Sequence, residues 1–320
     1  MSNESSSERP TASEGEGPSG DTRPMARLDW DWTRLAVSRD QIVFAAGVVA
    51  LVMVASTTTI DVVRNLPYRP LVIPEIVRSL TVNGTPAVVA VTLVVIALAT
   101  RQDDIRVGLL FAGVFGLLAT ISESATLPAV AAVIGGGTLA LFGGLGRPAT
   151  YREGSRAAVG TLIITGVAVS LASNVGLIEV GFRGFGGLLA LAGLAALGVL
   201  AEGDWVALVA GVLAFAFVVY ASVTRPFVVG SGLLVGFAVV DVPHLLVALA
   251  LGGGTATAVS GLRRREHSLS IGAGLLLFVG VPATLPRATA VLLGATLALV
   301  STERLIGKDS HDRNTKEVLK

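Results

Sequence analysis

Cysteine is absent from this chain, which excludes disulfides, thiolate metal ligands and a cysteine nucleophile. Charge is scarce as well. Charged residues make up 15% of the sequence against 52% hydrophobic, where a soluble domain carries about 25% charged residues. So few charges cannot cover so apolar a chain in water, and lipid has to solvate most of its surface. Lysine is confined to Lys308, Lys316 and Lys320, so arginine carries nearly all the positive charge. Histidine is limited to His244, His267 and His311 in separate regions, with no HExxH spacing. Paired-carboxylate spacing and a Walker A sequence are missing too. Gly181-Phe182-Arg183-Gly184-Phe185-Gly186 has glycines without the GxGxxG spacing of a dinucleotide site. These absences point away from an enzyme, and neither a cofactor, a metal nor a nucleic-acid partner is expected.

What is present is apolar sequence. From Gln41 to Thr302, segments at 41–60, 85–100, 105–121, 126–145, 157–175, 184–201, 205–222, 226–240, 243–262, 269–285 and 288–302 follow one another with few charged or turn residues between. About 20 apolar residues cross the ~30 Å of hydrocarbon as a helix. The expected fold is therefore all-α, a polytopic transmembrane helical bundle.

Arginine and lysine accumulate in cytoplasmic loops, so their placement selects a topology. If every segment crosses and the N-terminus is inside, the Arg263-Arg264-Arg265 cluster and the whole C-terminal tail are exported. If one segment between Ala157 and Leu262 does not cross, cluster and tail return inside. Outside there then remain only Arg64, Arg69, Arg78, Arg183, Arg225 and Arg287. About ten crossings built from helical hairpins are thus expected, with both termini cytoplasmic in the plasma membrane. The segment expected not to cross is 226–240. At ~1.5 Å per residue it falls short of the hydrocarbon thickness. It is bounded by Pro226 and by Asp241-Val242-Pro243, which stops it running on into the next helix. It reads as a re-entrant segment.

Outside the transmembrane domain at 41–302, residues 1–27 are rich in Ser, Glu, Gly, Pro and Thr and read as a disordered acidic tail. Acids precede the first apolar run, so the start is not read as a signal peptide. Residues 28–40 place Trp30 and Trp32 beside Arg34 and Arg39, an interfacial segment. Residues 303–320 read as a charged C-terminal tail.

The chain repeats itself. Residues 125–141 (ATLPAVAAVIGGGTLAL) and 283–299 (ATLPRATAVLLGATLAL) share Ala-Thr-Leu-Pro at the start and Thr-Leu-Ala-Leu at the end. Each copy follows an apolar helix that itself follows an arginine-bearing loop. A whole hairpin, 101–145 and 263–303, reads as repeated in the same membrane direction.

Few polar residues could carry chemistry. Asp241 and His244 flank Pro243, and at this spacing their side chains can meet and exchange protons near neutral pH. An ionisable group at membrane depth usually marks a pathway, whereas the plainer reading puts both in a surface turn. Arg263, Arg264 and Arg265 could contact anionic lipid headgroups or simply anchor the topology. The glycine triplets at 135–137 and 252–254 read as close packing between helices rather than as helix breaks. Asn83-Gly84-Thr85 matches a glycosylation acceptor beside the next span.

The wealth of Ala, Val and Gly, the preference for arginine over lysine and the acidic N-terminal tail give the chain a texture that resembles multi-pass membrane proteins of haloarchaea. That resemblance carries no functional residue. Two functions fit the sequence. One is a non-catalytic scaffold or accessory subunit, with the lipid bilayer and the protein subunits of a membrane complex as partners. The alternative is a permease or channel-like transporter, supported by the repeat, the break at Asp241 and the glycine triplets.

Overall fold

The computed structural model describes residues 38–65, 74–146, 150–201, 203–224, 242–300 and 305, all within one compact unit, Val37–Lys320. The acidic tail, residues 28–37 of the interfacial segment, Asp241, the segment 226–240 and, save Leu305, the C-terminal tail lie outside the described residues. Ten α-helices form and no strand is present among the described residues. They are α1 Arg39–Asn65, α2 Glu75–Ala99, α3 Asp103–Ile121, α4 Thr126–Leu145, α5 Tyr151–Asn174, α6 Phe182–Ala196, α7 Trp205–Thr224, α8 His244–Arg263, α9 His267–Val279 and α10 Leu285–Leu299. A 3₁₀ turn, Leu197–Ala201, extends α6.

The start of α5 is set by a capping box. Thr150 Oγ1 accepts from the Glu153 amide and Glu153 Oε2 accepts from the Thr150 amide, each at 3.3 Å, which satisfies two otherwise orphaned donors. Helices α1 and α2 outrun their apolar windows because polar residues at helical spacing lock them together. Thr57 and Thr85 share a 2.7 Å hydroxyl–hydroxyl bond, and Thr85 also donates to the Thr81 carbonyl at 2.6 Å. Residues 61–65 and 75–84, which fall between the apolar segments 41–60 and 85–100, are thus helical.

Eight of the helices, α1–α8, are long and apolar enough to cross a membrane when α6 is taken with its 3₁₀ extension, while α9 and α10 are shorter apolar helices. With 13 and 15 residues, they reach about 20 Å each at ~1.5 Å per residue. Gly280, at φ +62°, ends α9 in a left-handed turn, a conformation that costs glycine little. Pro286 opens the first turn of α10, where its missing N–H is tolerated.

Helix α10 is the centre of the bundle. Every residue from Ala288 to Leu299 is buried, and α10 packs on α2, α3, α4, α5 and α9. Around it, packing runs from α1 through α2, α3, α4, α5, α6, α8 and α9 and back to α1, with α7 outside against α8.

One contact recurs in the hairpins that follow α2. In α3–α4, a Cβ on Gly108 would strike the Gly136 carbonyl and lie 2.8 Å from the Ala140 nitrogen. In α5–α6, a Cβ on Gly166 would lie 2.8 Å from the Gly186 oxygen and 2.7 Å from the Ala190 nitrogen. In α7–α8, Gly211 faces Gly252 and Ala256 at 2.8 and 2.9 Å by the same construction. In α9–α10, Gly272 faces Gly294 and Ala298. Each time, one glycine meets a glycine and the alanine one turn further on, so the two backbones touch. Gly136 and Gly294, like Ala140 and Ala298, hold matching positions in the repeated stretches. So do Thr138 and Thr296, whose hydroxyls donate to the Ile134 and Leu292 carbonyls.

The contacts also fix directions. Helices α4 and α10 run parallel, since Gly137 meets Leu292 and Gly144 meets Val300. Helices α7 and α8 run antiparallel, since Asp204 meets Arg263 and Gly211 meets Gly252. Both ends of the segment between α7 and α8 therefore lie at the same end of the bundle. The starts of α1, α3, α5, α7 and α9 gather at one end together with Arg106, Arg152, Arg263, Arg264 and Arg265, called the basic end below.

Candidate functional site

A charged constellation lies at the basic end, where α6, α7 and α8 meet. Gly203 adopts φ +82°, turning the chain so that Asp204 caps α7. Asp204 Oδ1 accepts from the Val206 and Ala207 amides at 3.1 and 3.2 Å and from the Arg263 guanidinium at the end of α8. Its side chain is 8% exposed, against 51% for Arg263. Desolvation pushes the Asp204 carboxyl up, but the Ala207 amide, the charge and hydrogen bond of Arg263 and the Val206 amide together outweigh it, so its pKa is lowered. A carboxylate at a helix N-terminus and an arginine at a helix C-terminus each also suit the local dipole.

Two cavities open beside this pair. One of about 440 Å³ is lined by Gly203, Asp204, Trp205, Val206, Arg263 and Arg264. The other, about 220 Å³, shares Gly203 and Arg264 and adds Tyr151, Arg152 and Ser155 from α5 with Val199 and Leu200 from the 3₁₀ turn. A third, also about 220 Å³, brings Arg265, His267 and Ser268 next to Asp40 and Phe44 of α1, with the Phe44 and His267 rings edge to face at 5.4 Å.

The arginine cluster thus divides into three environments. Arg263 is committed to Asp204, Arg264 lines two adjoining cavities, and Arg265 sits in a left-handed turn at φ +59° facing α1. His244 stands exposed as the first residue of α8, a full helix length from Arg263. Asp241 lies outside the described residues. The Asp204–Arg263 pair and the Tyr151–Arg152 corner were not singled out from sequence. Asp204 directly before an apolar run is the N-cap signal that would have found its backbone role.

At the opposite end, the α9–α10 connection is buried. Val281 and Ala283 are 0% and 1% exposed, the Ala283 carbonyl accepts from Arg183 Nη2 at 3.3 Å, and the Phe278 carbonyl accepts from Thr58 at 2.8 Å. These donors satisfy carbonyls that the last turn of α9 and the connection leave without a helical partner. Both glycine triplets lie inside unbroken helices, and Gly136, Gly137, Gly252, Gly253 and Gly254 all face close neighbours, so their role is packing. Among the described residues, no group of His, Cys, Asp and Glu is arranged to hold a metal ion.

No curated protein and no solved structure matches the chain. Residues 43–299, from the first turns of α1 to the end of α10, match the integral membrane family of unknown function (DUF8068), and the chain belongs to that family.

Proposed function

We propose that this protein is a non-catalytic structural component of the plasma membrane, a scaffold or accessory subunit of a membrane assembly, with both termini cytoplasmic. The observation that carries this reading is the filling of the bundle centre. Helix α10 is buried along its length by Ala, Val, Leu and Gly. Its two buried hydroxyls, Thr289 and Thr296, return to its own carbonyls at 2.8 Å. Among the described residues, the polar residues buried as a whole are all serine or threonine, and the shielded Asp204 carboxylate lies at a helix end, whereas transport pathways are marked by intramembrane ionisable groups. Placing the basic end in the cytoplasm accords with the distribution of arginine. The shared glycine–alanine contacts and the parallel course of α4 and α10 support descent of the 101–145 and 263–303 hairpins from one duplicated unit.

A transporter is the second reading, favoured by the short α9–α10 hairpin and its buried non-helical connection, a backbone feature found beside substrate sites in transporters. Purification in mild detergent with mass measurement separates the two. The scaffold reading expects a stoichiometric partner chain, and no solute or proton flux when the protein alone is placed in liposomes. Flux that disappears in Asp241→Asn with folding intact would establish the transporter instead.

A further inference from the structure

We infer that the cavity between α1 and the start of α9 holds a zwitterionic headgroup, the ammonium and phosphate of an aminophospholipid. Asp40 in the first turn of α1 and Arg265 just before α9 line this cavity of about 220 Å³ from its two sides. They do not pair with each other, and neither has an ion-pair partner among the described residues. Arg39 and Glu266 adjoin them in sequence but do not line the cavity. An anion alone would be opposed by Asp40, and a cation alone by Arg265. A ligand with one group of each sign meets both, through charge-assisted bonds from its ammonium to the carboxylate and from the guanidinium to its phosphate. The N-terminus of α9 at His267 adds the favourable end of a helix dipole on the side of the anion.

The walls favour a lipid over a soluble zwitterion. The rest of the lining is largely apolar: Val43, Ile271 and Leu297 are buried, and Phe44 is 46% exposed with its ring edge to face with His267. Phe44 opens an apolar track at helical spacing along α1, continued by the half-buried Val48 and Leu51. Leu51 in turn lies against α9, where a Cβ on Gly274 would meet its Cδ1 at 3.3 Å. An acyl chain can follow this seam while the headgroup stays at the helix ends, level with the polar groups of the bilayer.

The test is lipid retention by the full chain in detergent, read by native mass spectrometry with phosphatidylethanolamine, phosphatidylglycerol or phosphatidylcholine added. Phosphatidylethanolamine should be retained preferentially, since phosphatidylcholine has no N–H to give Asp40 and phosphatidylglycerol has no cation. Asp40→Asn should weaken its retention about fivefold, the scale of one charge at a headgroup, and should remove the preference over phosphatidylglycerol. Arg265→Asn, which suits the left-handed φ of +59°, should weaken retention of both lipids to a similar extent. Arg34→Gln and Glu303→Gln, which neutralise the charges next in sequence outside the described residues, should change nothing. Asp40 is exposed in the first turn of α1, so its variant carries the test even if the Arg265 variant folds poorly. Equal retention of the three lipids, or a loss in the Arg34 or Glu303 variant equal to that in the Asp40 variant, would overturn the site. Displacement of bound lipid by millimolar glycerophosphoethanolamine would assign the cavity to a soluble zwitterion and overturn the lipid.

Discussion

Asp204 closes two helices at once, supplying the N-cap of α7 and the partner of the last residue of α8. Because its pKa is lowered in the folded protein, its contribution to stability is complete above the ordinary aspartate value near 4 and is lost as pH falls through the lowered value. Asp204→Asn should therefore lower the thermal midpoint in detergent at neutral pH. The gap between variant and wild type should stay constant down to about pH 5 and shrink in stronger acid. A gap that widens on acidification would mean that the carboxyl is neutral when folded. The cap is a local signal that sequence carries. The partner is not, since Arg263 is 59 positions away and nothing in the sequence distinguishes it from Arg264 or Arg265. The three environments of that cluster arise from the turn into α9, not from residue type.

At the level of the helices, apolar runs and arginine loops were legible because a bilayer imposes both length and charge placement. Helix ends were less so, since residues 61–65 and 75–84 fall between the apolar segments 41–60 and 85–100 yet are helical, held where Thr81, Thr57 and Thr85 close on backbone and on each other. The sequence match of 125–141 with 283–299 extends over many residues and involves one pair of hairpins. In the α5–α6 and α7–α8 hairpins only the Gly–Gly/Ala contact is shared, and glycine and alanine are too common here to signal it. This contact predicts a graded result. Gly136→Ala and Gly294→Ala place a methyl on a facing helix backbone or side chain and should each cost about 1–3 kcal/mol, the usual range for overpacking. Gly135→Ala meets nothing within 4 Å and should be neutral or stabilising by up to ~1 kcal/mol through helix propensity. Denaturant titration of the three variants in one detergent measures the difference, and equal effects at Gly135 and Gly136 would remove the contact from the account.

For the whole molecule, the number of crossings matters less than which end each helix starts from. The antiparallel course of α7 and α8 returns the chain to the end it left. The α9–α10 hairpin likewise leaves and re-enters at the basic end, whether or not its ~20 Å helices reach the far interface. Both courses bring the end of α10 to the same end of the bundle as the start of α1. The proposed cytoplasmic placement of that end rests on charge asymmetry, because Arg106, Arg152, Arg263, Arg264 and Arg265 gather there while Arg64, Arg78, Arg183 and Arg287 are spread over the other. The absence of cysteine makes this directly measurable with single introduced thiols. Ser124 is exposed in the turn between α3 and α4 at the end opposite the basic one, so Ser124→Cys should react with a membrane-impermeant maleimide in intact cells. Ser310→Cys should react only after the membrane is opened. Labelling of both from outside would break the even count, and labelling of Ser310→Cys alone would invert the orientation while leaving the helix packing untouched.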